Sequence, residues 1–237
     1  MIYEKTGYVA GSMCDAAVKL SPIAVCGLIE DCVTELLGSL GIDGVTAMKK
    51  YGAMWVFSKN SIKMHRRPDW LEKFRVRCFI SGHSPLRLFI DTRVESEQGE
   101  PLVSSRVEVA GIDLESGRIR KPQTVGFEES MEHPEPLDDV AITRFPKQAG
   151  EPIETVRVRS TSIDYCFHTN NIEYVRFILN TIPEKELTSR GISELELHYR
   201  SQSHEGDELT IERLDAEGGR FYIVRCAGSE AVSCRLV

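Results

Sequence analysis

Hydrophobic positions change period several times along the chain, and each change marks an element. Ile2 to Val9 alternates as a first strand, broken at Gly11 and Ser12. From Pro22 to Leu40 the apolar residues Val25, Leu28, Ile29, Val33, Leu36, Leu37 and Leu40 recur at spacings of three and four, while Glu30, Asp31 and Glu35 take the other side. This predicts the longest helix, with Ser21 as cap, Pro22 in the first turn and Gly41 at the end. A shorter helix is expected over Gly44 to Tyr51. The period then becomes that of strands, at Met54 to Met64, Phe74 to Ile80, Leu86 to Val94 and Leu102 to Leu114. Turn chemistry separates them at Arg67-Pro68-Asp69, Gly82 to Pro85 and Gln98 to Pro101, so they read as an antiparallel meander beside the helix, an α+β layer.

Between Lys121 and Pro152 the pattern dissolves among prolines and the acids Glu128, Glu129, Glu132, Glu135, Asp138 and Asp139, with one short strand expected at Ile142 to Phe145. The first half's order then returns. A strand at Thr155 to Arg159 precedes a helix at Asn171 to Ile182. Strands follow at Ser193 to Gln202, Glu208 to Arg213, Gly219 to Ala227 and Glu230 to Val237. Strand, helix and meander occurring twice is an architectural repeat. The expected organisation is an N-terminal unit over 1–125, a linker over 126–150 and a C-terminal unit over 151–237.

Composition narrows the classes without changing that picture. The 237 residues, 41% hydrophobic and 27% charged, describe a globular chain large enough to bury a substantial core. A net charge of -7 argues against general nucleic-acid binding. No apolar run approaches the roughly 20 residues that span a bilayer, so membrane insertion is not expected. The opening MIYEKTGYVA has no basic patch followed by an apolar core, so no secretory signal is expected either. Seven scattered cysteines read as reduced thiols in a cytoplasmic protein. Cys26 and Cys32 share a helix but lack a metal-type spacing, and no metal or other cofactor is expected.

Candidate chemistry concentrates between the strand ending at Arg159 and the helix opening at Asn171. Asp164, Cys166 and His168 stand two residues apart, so a locally extended backbone would aim all three to one side. Asn170 and Asn171 suit a helix start, whose free N–H groups can face an anionic oxygen. A carboxylate, an imidazole and free amides together could activate water and hold an oxyanion. Cys166 offers another route, a thiolate with His168 as its base, although neighbours on one strand hold their side chains parallel rather than tip to tip. His65, His83, His198 and His204 read as solvated or structural.

The segment DYCFHTNNIEYV resembles the active-site segment of the plant and bacterial acyl-ACP thioesterases, Asp-x-Asn-x-His-x-Asn-Asn-x-x-Tyr. Asp164, His168, Asn170, Asn171 and Tyr174 fall at its spacings. In the first half, MWVFSKNSIKMHRRPDWLEKFRVRCFISG and ESGRIRKP resemble further family segments. The resemblance implies a tandem hotdog fold, each half a curved antiparallel sheet wrapped around a long helix, and hydrolysis of acyl-carrier thioesters. It departs from the family at two of four polar catalytic positions. Cys166 stands where the family has asparagine, and Gln202, in LHYRSQSHEGD, where a catalytic glutamate is expected, followed by Ser203 where plant members often have cysteine. Glutamine can orient water but cannot accept its proton.

On this reading Asp164 activates water or attacks directly. His168 and Gln202 orient the water and the thioester, and N–H groups around Asn170 and Asn171 receive the oxyanion. Lys63, Arg66, Arg67, Arg118, Arg120 and Lys121 would form a basic surface for the acidic acyl carrier protein. Acyl-CoA hydrolysis is the nearest alternative. A catalytically weakened acyl-binding protein is the alternative from another class. A homodimer is compatible with either.

Overall fold

The computed structural model describes residues 1–237, with the side chain of Arg190 left aside, and divides them into two compact units, Met1–Ile142 and Thr143–Val237. The first contains β1 (Tyr3–Tyr8), α1 (Pro22–Ser39), α2 (Gly44–Tyr51), β2 (Ala53–Met64), β3 (Lys73–Ser84), β4 (Arg87–Ser96), β5 (Pro101–Asp113) and the short β6 (Ile119–Arg120). The second contains β7 (Glu151–Arg157), α3 (Asn171–Asn180), α4 (Glu184–Arg190), β8 (Glu194–Tyr199), β9 (Glu208–Ala216), β10 (Gly219–Cys226) and β11 (Ser229–Leu236).

The strand partners differ from those of a simple meander. In the first unit the order is β1-β3-β4-β5-β2, with β6 on β5; in the second it is β7-β9-β10-β11-β8. Every one of these pairings is antiparallel. Counted from each unit's first strand, the two orders are the same, so the repeat extends to topology. The strand before each meander does not join its sequence neighbour; β2 closes on β5, and β8 on β11.

Each unit's helix is held by the face its sequence predicts. In α1, Val25, Ile29, Cys32, Val33 and Leu36 are at most 1% exposed, and the helix packs on β1, β3 and β4. The Ser21 side chain accepts the Ala24 N–H at 3.1 Å, and such a cap contributes about 1 kcal/mol. In α3, Tyr174, Val175, Ile178 and Leu179 are buried. That helix stops at Asn180, two residues before its expected end. Pro183 then opens α4, which the periodicity did not indicate.

The acidic stretch after Lys121 is fastened to the first unit as far as Ile142. Phe127 is 2% exposed, and the His133 N–H donates to the Ile80 carbonyl. Asp139 holds a two-pronged bond to Arg93, and Arg106 reaches the carbonyls of Leu137 and Val140. No strand forms at Ile142 to Phe145. There the Thr143 N–H and hydroxyl both bind the buried carboxylate of Glu196 at 2.7 Å.

The loop leading into each main helix is duplicated almost bond for bond. Asp164 N–H donates to the His168 carbonyl, Phe167 N–H to the Asp164 carbonyl, and Cys166 N–H to Asp164 Oδ1. In the first unit Asp15, Lys19, Val18 and Ala17 make the same three bonds. The fourth residue of each loop, Val18 at φ 59 and Phe167 at φ 64, is left-handed, a conformation costly for a β-branched or bulky side chain. A second loop lies across each. Leu20 N–H donates to the Pro68 carbonyl, and Thr169 N–H to that of Ser203. Residues 68–72 and 203–207 then fold alike, with Leu71 (φ 65) and Gly206 (φ 90) in corresponding places.

Candidate active site

The extended geometry expected for Asp164, Cys166 and His168 is replaced by this tight turn. Its cause is the Asp164 carboxylate, whose Oδ1 accepts the Cys166 N–H at 2.8 Å and lies 3.5 Å from the His168 nitrogen. The chain thereby reverses between Ile163 and Thr169, which face each other as an antiparallel bridge. Tyr165 and Phe167 are thrown outward, 77% and 81% exposed, while Asp164, Cys166 and His168 stay half-buried.

Beneath the turn lies a buried hydroxyl cluster. Ser203 Oγ is 2.6 Å from Tyr174 Oη and 2.7 Å from Thr169 Oγ1, and Thr169 also bonds the Ser203 carbonyl through both N–H and hydroxyl. All three residues are under 5% exposed. The cluster ties α3, the turn and the loop after β8 to one another. It also explains why β8 ends at Tyr199 rather than at Gln202, since Ser203 must leave the strand to meet Thr169.

The opening of α3 leaves its first donor free. The Asn170 side chain caps the helix by accepting the Ile172 N–H at 2.9 Å, and Asn170's own N–H donates to the Ser162 carbonyl. Glu173 N–H returns to the Asn170 carbonyl. The Asn171 N–H, at the first helical position, has no acceptor among the described residues, as expected of a group in an opening turn. At the matching position of α1 stands Pro22, which has no N–H at all.

Electrostatics differ along the turn. Burial first, and the Asp164 charge second, push the Cys166 thiol up from its ordinary value, so it is a poor source of thiolate. Burial, then the neighbouring His204, lower the His168 imidazole against the opposing pull of Asp164. His168 is therefore a neutral imidazole at neutral pH. Its ring stands edge-on to that of His204, with centroids 5.2 Å apart. His204 donates its backbone N–H to Asp207 Oδ2 at 2.8 Å, and its Nδ1 lies 3.8 Å from the same oxygen. Gln202 is exposed, next to Ser203, with no side-chain hydrogen bond among the described residues.

The turn and helix start thus gather Asp164, Cys166, His168, Asn170 and Asn171, with Gln202 one residue from the hydroxyl cluster. The basic candidates are not gathered. Lys63 pairs with Ser104 and Arg120 with Gly111, seven residues apart along β5 and so roughly 23 Å. Arg66 is bound to Glu72 by two bonds, Arg67 to Asp15, and Arg120 to the Tyr51 carbonyl and Thr124. Only Lys63, Arg118 and Lys121 of the six have no side-chain acceptor among the described residues. No group of acids, cysteines and histidines among those residues could hold a metal ion.

His204, which the sequence reading took as solvated or structural, and Asp207, which it did not single out, lie beside the turn. A signal was present in the repeat. Residues 15–19 and 68–72 of the first half, DAAVK and PDWLE, and residues 164–168 and 203–207 of the second, DYCFH and SHEGD, share a leading aspartate in the one segment and a closing acid in the other.

The N-terminal domain model of the acyl-ACP thioesterases matches residues 2–125, and the C-terminal domain model matches 147–228. Among characterised relatives, a chloroplastic dodecanoyl-[acyl-carrier-protein] hydrolase of Umbellularia californica is 27% identical over 199 residues, covering 77% of this chain and 51% of its own. A counterpart from Cinnamomum camphora is 25% identical over 203 residues, with the same coverage. The chain spans about half the length of the curated relatives it matches. An acyl-ACP thioesterase structure from Bacteroides thetaiotaomicron superposes with a TM-score of 0.91 at 20% identity, covering 100% of this chain and 97% of that one. A 12:0-ACP thioesterase from Umbellularia californica gives 0.85 at 20% identity, over 99% and 96%. These likenesses identify the fold as the tandem hotdog. With both domain models matched in order and most of the sequence covered, the chain belongs to the acyl-ACP thioesterase family.

Proposed function

We propose that this protein hydrolyses fatty acyl thioesters of acyl carrier protein at the turn between β7 and α3. The observation that carries the reading is the placement of the Asp164 carboxylate in one turn with a neutral His168 and an unused N–H at the start of α3. Asp164 Oδ1 builds the turn, so Oδ2 is the atom left to hold the attacking water. His168 and Gln202 orient the water and the thioester. The Asn171 N–H, at the positive end of the helix, receives the oxygen that becomes negative as the carbonyl is attacked. A thioester needs less help than an amide, because its thiolate leaves readily. The raised Cys166 thiol disfavours the thiolate route.

Recognition of the carrier falls to Lys63, or to Arg118 with Lys121, because the other predicted cations are engaged by the protein's own acceptors. Charge reversal at each group raises KM for acyl-ACP where that group contacts the carrier and leaves acyl-CoA unaffected. Residence in a reducing cytoplasm is the companion proposal, supported by seven cysteines scattered along the chain without a paired spacing. No helix among the described residues is long and apolar enough to cross a membrane. Light scattering reads whether the protein forms a homodimer.

The test is hydrolysis of a panel of acyl-ACPs and acyl-CoAs by the purified protein, beside Asp164→Ala and Cys166→Ala. The expected result is cleavage of ACP thioesters, lost in Asp164→Ala and retained in Cys166→Ala. Faster cleavage of acyl-CoA would reassign the carrier. Tight binding of acyl-ACP without turnover would make the protein an acyl-binding relative, the reading favoured by Gln202 at the expected glutamate position.

A further inference from the structure

The duplicated loop separates scaffold from chemistry, because two copies of one backbone carry different side chains. Shared features are the aspartate that caps the turn, the left-handed fourth residue, the capped helix start and the crossing loop. Where the copies differ, the first unit is closed by ion pairs. Arg67, at the place of Gln202, binds Asp15 Oδ2. Lys19, at the place of His168, binds Asp69 at 2.5 Å, and Asp69 holds the place of His204. In the second unit the same two places are filled by imidazoles set edge to face, with centroids 5.2 Å apart.

That substitution leaves a proton acceptor where the first unit has a neutralised pair. We propose that His204 is the catalytic proton acceptor of the second unit, placed beside Asp207 and flanked by His168. The assignment rests on the hydrolase reading above and supplies what Gln202 cannot. His204 Nδ1 lies 3.8 Å from Asp207 Oδ2, beyond direct hydrogen-bond length, and in the Nδ1–H tautomer the Nε2 lone pair is the one open to water. The water oxygen bonds to the thioester carbon as its proton passes to Nε2, and the carbonyl pair moves onto oxygen at the Asn171 N–H. Collapse of that oxyanion breaks the C–S bond. The thiolate takes the proton from the imidazolium, and the carboxylic acid loses its own proton to solvent.

An imidazole suits this step because its ordinary pKa lies near neutral pH, where a general base works best. Of the two rings, His168 is held neutral by burial and by its neighbour. His204, with its side chain 58% exposed beside Asp207, is the ring that water reaches. The charged or titratable groups around it are His168, Asp207, the Cys226 thiol at 3.5 Å from Asp207 Oδ2, and Arg157, whose Nη2 approaches Gly206.

The experiment measures kcat and KM against pH on acyl-ACP for wild type, His204→Gln, Asp207→Asn and, as a control from the first unit, Lys19→Ala. Wild-type kcat/KM is expected to rise with pH through one ionisation of imidazole type. His204→Gln lowers kcat about a hundred- to ten-thousandfold with little change in KM, and removes that inflection. Asp207→Asn lowers kcat and leaves KM near the wild-type value, because the carboxylate beside the ring is neutralised without loss of a substrate contact. Lys19→Ala matches wild type. An active wild type equalled by His204→Gln in kcat and pH profile overturns this assignment alone. A wild type that cleaves no acyl-ACP or acyl-CoA overturns the hydrolase reading and this assignment with it.

Discussion

Replacing Asn171 by proline deletes one N–H from the proposed oxyanion site while sparing the helix. The deleted group has no acceptor among the described residues, so no protein hydrogen bond is lost. Proline is favoured at a first helical position, where its fixed φ of about -65° matches the helix. The preceding residue must avoid the helical region, and Asn170 already sits at φ -58 and ψ 137. Ser21 and Pro22 show this backbone accepting the same pair of constraints, with Ser21 at φ -69 and ψ 151. Folding stability should therefore change by less than about 0.5 kcal/mol, the range of substitutions that disturb no special feature. Loss of an oxyanion donor lowers kcat about a hundred- to a thousandfold, or about 2.7 to 4 kcal/mol of transition-state stabilisation. Steady-state hydrolysis of acyl-ACP, with circular dichroism to verify folding, reads both quantities. Asn171→Ala keeps the N–H and removes the side-chain amide, and should stay near wild type. A folded Asn171→Pro with wild-type kcat refutes the role of this N–H, and an equal loss in Asn171→Ala transfers the role to the amide side chain.

Further outcomes follow from the cluster below the turn and from its titrating groups. Ser203→Ala takes the 2.6 Å partner from the buried Tyr174 hydroxyl, while Thr169 keeps the Ser203 carbonyl, and should destabilise the second unit by about 1 to 3 kcal/mol in urea unfolding. Paired with Tyr174→Phe it should cost less than the sum of the two single variants, and strict additivity would show that the hydroxyls are not coupled. His168, lowered by burial and by His204, should titrate in NMR below the ordinary histidine value near 6.5, and higher in His204→Ala than in wild type. Because its folded value lies below its unfolded one, its contribution to stability is complete above about pH 6.5 and falls away as pH drops toward the folded value. A midpoint at or above 6.5 contradicts the site's electrostatics. Cys166, raised by burial and by Asp164, should react with iodoacetamide at pH 7.5 more slowly than a free thiol, and faster in Asp164→Asn. Rapid alkylation that abolishes hydrolysis would restore the thiolate route.

Local pattern alone determined most of the elements, their buried faces and the occurrence of the same order twice. Periods of two and near four place apolar side chains on one side whatever the partner, which is why the cores of α1 and α3 could be named in advance. Helix starts were legible for the same reason, because a cap acts within three residues. Partners were not legible. Alternation states which face of a strand is buried but not which edge it joins, and only the folded chain put β2 beside β5 and β8 beside β11. Spacing suggested that Asp164, Cys166 and His168 would line one side of a strand. A single carboxylate bond to the Cys166 N–H turned the backbone instead. The pairing of His168 with His204 depends on Thr169 meeting Ser203, 34 residues along the chain. Arg67 likewise closes on Asp15 from 52 residues away. Such contacts arise when non-local strands have already paired, so tertiary structure decided which copy of the loop is sealed by ion pairs and which presents two imidazoles.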